Sequence, residues 1–303
     1  MDCPSFFCNH KLIFMNNDIF PCLWFDGNGK EAADFYTTLF GGKIDVDTPM
    51  VLNLDLFGQR VMILNAGPQF VKNASISFMV ICHSKEEIHT YWDAMLDGGI
   101  ALMPLDSYPW SELYGWIRDK YGVTWQFYFG ETPENAQRLV PNLMFMHENN
   151  GKAKSAMEFY TQIFPNSEIG GVLEYKNGGE NNGEPGDHVQ HADFNLSSYT
   201  FFCMDSSIDH PFDFNEAISI VKMTDNQTET DYLWNALTAD GGRESMCGWL
   251  KDKYGVSWQI VPKKLIELMN DVDHPEKVNK VIQAMMGMQK IDIAKIEAAH
   301  QEG

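Results

Sequence analysis

The chain has 303 residues, 44% hydrophobic and 21% charged, an ordinary globular balance with room for about two domains. Its formal net charge of −20 repels phosphate backbones and anionic headgroups, so nucleic acid and a membrane surface are excluded as partners. No apolar run is long enough to cross a bilayer, and the first residues lack the basic and continuous apolar segments of a signal peptide. None of the six cysteines (Cys3, Cys8, Cys22, Cys82, Cys203 and Cys247) forms a Cys-x-x-Cys pair or stands at zinc-finger spacing from histidine, which fits free thiols in a reducing cytoplasm.

Residues 1–18 read as a disordered extension, with Met15 available as an alternative start. A strand is expected at 19–25, then a turn at Asp26-Gly27-Asn28-Gly29 in which Asn28 can cap the helix that follows. Ala32, Phe35, Tyr36 and Leu39 fall at helical spacing, Gly41-Gly42 stops the helix, and strands follow at 43–47, 50–57 and 59–65. The order β-α-β-β-β then recurs. A strand at 75–82 leads into the capping box Ser84-x-x-Glu87 and the helix stripe Ile88, Tyr91, Trp92 and Met95. Strands come next near 100–103, 113–117 and 123–129.

After a linker at 131–137 the scheme restarts, with a helix at 152–164 in which Phe159-Tyr160-Thr161 answers Phe35-Tyr36-Thr37. A Gly- and Asn-rich insertion at 177–186 precedes strands at 188–196 and 199–204. A fourth unit has a strand at 217–223, a helix at 229–239 and a final strand ending near Val261. The tail, 275–300, is predicted helical, with an apolar stripe of Val278, Val281, Ile282, Met285 and Met288 to dock on a domain or another subunit.

One block occurs twice. Residues 115–126 read GWIRDKYGVTWQ and residues 248–259 read GWLKDKYGVSWQ, a match that marks an internal repeat. Its Tyr-Gly pair is a turn, and the β-branched and aromatic run behind it starts a strand with an apolar face (Val123, Trp125) and a polar one (Thr124, Gln126). The expected fold is therefore α+β: four βαβββ modules paired into two domains, 19–131 and 138–265, with curved mixed sheets and a helical tail at 273–301.

These motifs, with Leu23-Trp24-Phe25-Asp26-Gly27-Asn28 and Phe35-Tyr36, resemble the vicinal oxygen chelate superfamily (glyoxalase, bleomycin resistance, dioxygenase). Within it the chain is similar to the PhnB-like proteins, many of them labelled 3-demethylubiquinone-9 3-methyltransferase-like. The resemblance implies paired modules that curve a sheet around a pocket in each domain. Its metal-using members carry histidines on the first strands and a glutamate on the last. Here the matching register holds Pro21 and Pro141, Ser77 and Ser219, and Gln126 and Gln259, none of them a good ligand for a divalent transition metal. Met62, Met204 and Cys203 on the remaining strands read as core residues.

No metal and no cofactor are therefore expected. Gly27-Asn28-Gly29 lacks the third glycine and the acidic residue of a dinucleotide-type site, so the residues give the methyltransferase label no support.

The expected function is a metal-independent pocket for a small organic molecule, lined by Trp110, Tyr114, Trp116, Gln126, His191, Trp249 and Gln259. The alternative is a metal-dependent lyase, dioxygenase or transferase, and a protein whose pockets are filled by side chains is a third reading. Catalytic candidates are His191 beside Asp193, two residues apart on one strand, and Cys247, which lacks an activating neighbour in sequence. The two halves read as an internal pseudo-dimer, with a homodimer left open by the apolar tail.

Overall fold

The computed structural model describes residues 18–132, 136–178 and 183–302. The expected extension at 1–17 and the middle of the insertion, 179–182, lie outside the described residues. The chain forms four βαβββ modules. The first is β1 (Ile19–Phe25), α1 (Gly29–Phe40), β2 (Lys43–Asp47), β3 (Val51–Leu56) and β4 (Gln59–Asn65). The second is β5 (Ile76–Cys82), α2 (Lys85–Leu96), β6 (Ile100–Tyr108), β7 (Ser111–Arg118) and β8 (Thr124–Phe129). The third is β9 (Leu139–Phe145), α3 (Ala153–Ile163), β10 (Glu168–Glu174), β11 (Val189–Leu196) and β12 (Tyr199–Asp205). The fourth is β13 (Ile218–Thr224), α4 (Gln227–Thr238), β14 (Arg243–Glu244), β15 (Trp249–Lys251) and β16 (Ser257–Pro262).

Local chemistry explains the helix ends. Asn28 makes no side-chain cap. The first amide of α1, Gly29 N, instead donates to Asn65 Oδ1 at the end of β4 (2.9 Å), and a Cβ on Gly29 would lie 2.5 Å from that oxygen. The third module repeats the device: Asp205, the last residue of β12, accepts from Gly151 N and Ala153 N (2.8 and 3.1 Å) at the start of α3. The helices α1 and α3 are thus tied to the last strands of their own modules. In α2, Ser84 Oγ accepts from Glu87 N (3.1 Å), while Glu87 reaches back to His83 N (3.0 Å), one residue short of a full capping box.

The strand order does not follow the halves of the chain. One eight-stranded sheet runs β14-β15-β16-β13-β1-β4-β3-β2 and the other β10-β11-β12-β9-β5-β8-β7-β6. The first module shares a sheet with the fourth, and the second with the third, where pairing within each half was expected. The joining edge decides this. β5 and β9, the first strands of modules two and three, pair antiparallel from Ile76↔Leu143 to Val80↔Leu139. Every module presents the same first-strand edge, so the repeat is silent on which module meets which. The compact units follow neither scheme: one spans Leu23–Asp213, and the other combines Asp18–Cys22 with the chain from Phe214 onward.

The twin blocks occupy equivalent places. Trp116 pairs with Gln126 as Trp249 pairs with Gln259, and Phe78 sits beside Trp125 as Ile220 sits beside Trp258. A buried aspartate organises each turn. Asp119 Oδ1 accepts from Tyr121 N and Val123 N (2.9 and 3.0 Å), and its Oδ2 accepts from Trp125 Nε1 and Tyr36 OH (2.8 and 2.6 Å). Asp252 binds Tyr254 N, Val256 N and Trp258 Nε1 in the same way (2.9, 3.1 and 2.9 Å).

The tail departs from the expected single helix. It consists of α5 (Lys263–Met269), α6 (Pro275–Met286) and α7 (Ile293–Gln301). The stripe residues Val281, Met285 and Met288 pack with Leu265, Leu268, Ile291 and Ile296. They dock on neighbouring helices of the same unit.

Replacing Asp119 or Asp252 with asparagine turns an acceptor-only carboxylate into an amide whose NH2 faces the tryptophan N–H. Each change is expected to cost about 2–4 kcal/mol of folding free energy, measured by urea unfolding. A loss below about 1 kcal/mol would show that the turn does not depend on the charge.

Candidate functional site

The sheet formed by modules two and three brings most of the expected site residues onto one face. Direct register partners share a face of a sheet. Ser77 of β5 stands opposite Asn142 of β9, which neighbours Phe202 of β12, which stands opposite Asp193 of β11. On the other side Met79 neighbours Gln126 of β8, which stands opposite Trp116 of β7. Met79, Ile81, Tyr114, Val140 and Phe202 form one buried apolar cluster here, and Met103, Tyr108, Trp116 and Tyr128 pack against it half-exposed.

A polar line crosses this apolar surface. Tyr114 OH donates to Gln126 Oε1 (2.7 Å), and Gln126 Nε2 donates to Ser77 Oγ (2.7 Å). Both ends of the amide are thereby fixed. Burial pushes the Tyr114 phenol far up, so it stays a protonated donor. The line is flanked by two unsatisfied groups, Asn142 opposite Ser77 and Trp116 opposite Gln126. Asn142 is 2% exposed and its Oδ1 accepts no hydrogen bond, and Trp116 Nε1 is buried without an acceptor. Leaving such a group unpaired costs about 1–3 kcal/mol.

His191 lies on the same face of β11, its ring 4.8 Å from that of Phe202. It makes no side-chain hydrogen bond among the described residues, and none links it to Asp193. Desolvation lowers its pKa to about 4, so the ring is neutral near pH 7. Asp193 serves the sheet: its Oδ1 accepts from Gly171 N (2.8 Å) at the irregularity where β10 meets β11. A Cβ on Gly170 would lie 1.9 Å from Asp193 Oδ2, which accounts for glycine at that place. His191 and Asp193 share this face of β11 with no hydrogen bond between their side chains among the described residues.

The remaining candidates fall elsewhere. Trp110, 37% exposed, occupies the β6–β7 turn, stacked on Tyr108 (5.0 Å, 23°) and edge-on to Tyr114 (5.8 Å, 76°). Trp249 and Gln259 lie on the other sheet, where Gln259 Nε2 donates to Ser219 Oγ (3.0 Å). Cys247, at the position matching Tyr114, has positive φ (59°), and its amide donates to Met288 O (2.7 Å) in the tail. Burial raises its thiol pKa, the opposite of what a nucleophile needs.

The register also corrects one expected position. Pro141 stands beside Phe78, on the face opposite Ser77, so Asn142 is the residue β9 presents to the site. Sequence reading missed Asn142, although a lone amide inside the apolar run LVPNLMF was the available signal.

Residues 41–128 and 137–261 match the profile of the 3-demethylubiquinone-9 3-methyltransferase family, more than half of the chain. The chain belongs to this family. Among solved structures, it is 35% identical to a PhnB protein from Bacillus cereus, itself described as a 3-demethylubiquinone-9 3-methyltransferase; the match covers 36% of this chain and 96% of that one, with a TM-score of 0.34. Protein PA1353 from Pseudomonas aeruginosa is 25% identical over 37% of this chain and 97% of its own, with a TM-score of 0.35. Glyoxalase I from Zea mays is 12% identical over 84% of this chain and 96% of its own, with a TM-score of 0.54, a likeness of fold alone. No curated protein matches the chain. Among the described residues, no helix is long and apolar enough to cross a membrane.

Metal-using proteins of this fold draw ligands from the first and last strands of two paired modules. In this sheet those positions are Ser77, Gln126, Asn142 and, in the register Met144↔Met204, Met204. One hydroxyl, two amides and a thioether carry no charge and do not fit a divalent transition metal. Among the described residues no group of three or more His, Cys, Asp or Glu is placed to hold one.

Two outcomes follow from the orphan groups. Asn142→Leu removes an unpaired buried acceptor and is expected to raise the melting temperature of the ligand-free protein by a few degrees. A fall of that size would show that the amide is already satisfied. His191 has a folded pKa below its unfolded value, so the unfolded chain takes up the proton first. Stability is full above about pH 6.5 and declines toward pH 4, by at most on the order of 2–3 kcal/mol. His191→Leu should flatten that decline in denaturant midpoints measured across the range.

Proposed function

We propose that this glyoxalase-fold chain binds a small organic molecule, without a metal, on the face shared by modules two and three. The observation that carries the reading is the pair of unpaired polar atoms, Asn142 Oδ1 and Trp116 Nε1, set in a wall of apolar and aromatic side chains. Ligand sites combine such walls with a few placed polar groups. Transfer of a methyl group is not part of the proposal. The Gly27-Asn28-Gly29 turn spends its helix-starting amide on Asn65, and Gly29 is accounted for by that contact.

Each sheet is completed within one chain, so a pseudo-dimeric monomer is the assembly we infer. Light scattering should give the mass of a single chain, and an obligate dimer would refute this. Native mass spectrometry of protein purified under gentle conditions should show one organic adduct per chain, lost on Asn142→Leu. Adding zinc, nickel, manganese or iron(II) to metal-stripped protein should leave the melting temperature unchanged. Stoichiometric micromolar binding, abolished by Gln126→Ala, would favour the metal-dependent lyase, dioxygenase or transferase reading.

A further inference from the structure

The donors and acceptors left over at this face specify the edge of the molecule that would fill it. Gln126 Nε2 donates to Ser77 Oγ, so the hydroxyl of Ser77 has one lone pair engaged and its own proton to give. That proton finds no acceptor among the described residues. Opposite it, in direct register, stands Asn142 with its unpaired Oδ1. Cα atoms of such antiparallel partners lie about 4.5–5.5 Å apart, so a spare donor and a spare acceptor sit side by side on this face of the sheet. They are 1% and 2% exposed, and their surroundings are Met79, Val140 and Phe202.

The charge pattern narrows the class further. Across all eight strands of this sheet the only lysine or arginine is Arg118, which is exposed at the end of β7. The same strands carry six carboxylates: Asp106, Glu112, Glu168, Glu174, Asp193 and Asp205. His191, the other titratable cation on the strands, is neutral near pH 7. A carboxylate or phosphate entering this face would meet no lysine or arginine on its strands besides Arg118, and Arg138, just before β9, is already paired with Glu87. The chain's net charge of −20 would oppose its approach.

We infer that the site takes an uncharged planar ring whose edge presents a hydrogen-bond acceptor beside an N–H or O–H donor, as in a lactam or an ortho-hydroxy carbonyl compound. The ring's acceptor takes the Ser77 proton, its donor goes to Asn142 Oδ1, and its faces lie against the apolar wall that Phe202 and Met79 provide. The inference rests on the reading of this face as a binding site and adds the ligand's chemical class.

Three probes of one size separate the possibilities: 2-pyridone, which has the adjacent acceptor and donor; N-methyl-2-pyridone, which lacks the donor; and benzoate, which is anionic. Titrated into the full chain and followed by calorimetry or protein chemical shifts, 2-pyridone should bind at least about tenfold more tightly than the N-methyl compound, the equivalent of one hydrogen bond to a buried partner. Benzoate should bind more weakly than either. Asn142→Leu should abolish the preference for 2-pyridone, and the comparison on the unaltered protein stands even if that variant does not fold. Equal binding of the two pyridones, or a preference that survives Asn142→Leu, would overturn the assignment of Asn142 as the ligand's acceptor. Tightest binding of benzoate would overturn the uncharged class. Binding of none of the three, together with no adduct in native mass spectrometry, would remove the binding site itself; an adduct without probe binding would remove only the ligand class.

Discussion

A buried carboxylate holds each copy of the repeat together. An aspartate taken out of water is costly unless its lone pairs are filled, and Asp119 fills them with two backbone amides, an indole N–H and a phenol. Burial raises its carboxyl pKa, and those four donors offset only part of that rise. The amides come from the turn that starts β8, and the phenol comes from α1 of the preceding module. One side chain therefore fixes a turn, orients a tryptophan and ties two modules together. Because the tryptophan is fixed, the strand behind it has a set register, and Gln126 is held on the opposite face, where it meets Ser77 and Tyr114.

The candidate site is the consequence of that register. Its amide is locked at both ends, and of its two unsatisfied atoms Asn142 Oδ1 sits where two modules meet at β5 and β9, while Trp116 Nε1 is on β7. The same block in the fourth module does not reproduce the arrangement. Cys247 stands where Tyr114 would be, so no phenol reaches Gln259 from that position, and the amides of Cys247 and Gly248 are claimed by Met288 O and Gln289 O. β15 is correspondingly short, three residues against eight in β7. The extra length of β7 lies mostly at residues 111–114, just before the shared block, where the fourth module has residues 244–247 instead and the amides of Cys247 and Gly248 bond to the tail.

The local readings that succeeded are those whose cause lies within a few residues. Of the expected stripe Ala32, Phe35, Tyr36 and Leu39, Ala32 and Tyr36 are buried and the other two partly so; that spacing, the Ser84 cap and the Tyr-Gly turns each depend on short-range sterics and hydrogen bonds. The readings that failed depend on partners far along the chain. Asn28 has the right chemistry for a cap, but Asn65, 36 residues from Gly29, takes the helix-starting amide. His191 and Asp193 share a strand face as their spacing requires, and one carboxylate oxygen of Asp193 accepts from Gly171 on the neighbouring strand, which the spacing does not show. The error at Pro141 was one residue, and in a strand one residue is a change of face.

The sequence by itself determined the βαβββ order, the fourfold repetition, the acidic character and the absence of ionisable ligands at Ser77, Gln126, Ser219 and Gln259. These follow from composition and periodicity, which are properties of the chain read in order. Only the tertiary structure decided that module two pairs with module three, and so that Gln126 and His191 share one sheet. Each module offers the same hydrogen-bonding edge on its first strand, and the choice among equal edges is made by packing between segments that sequence distance keeps apart.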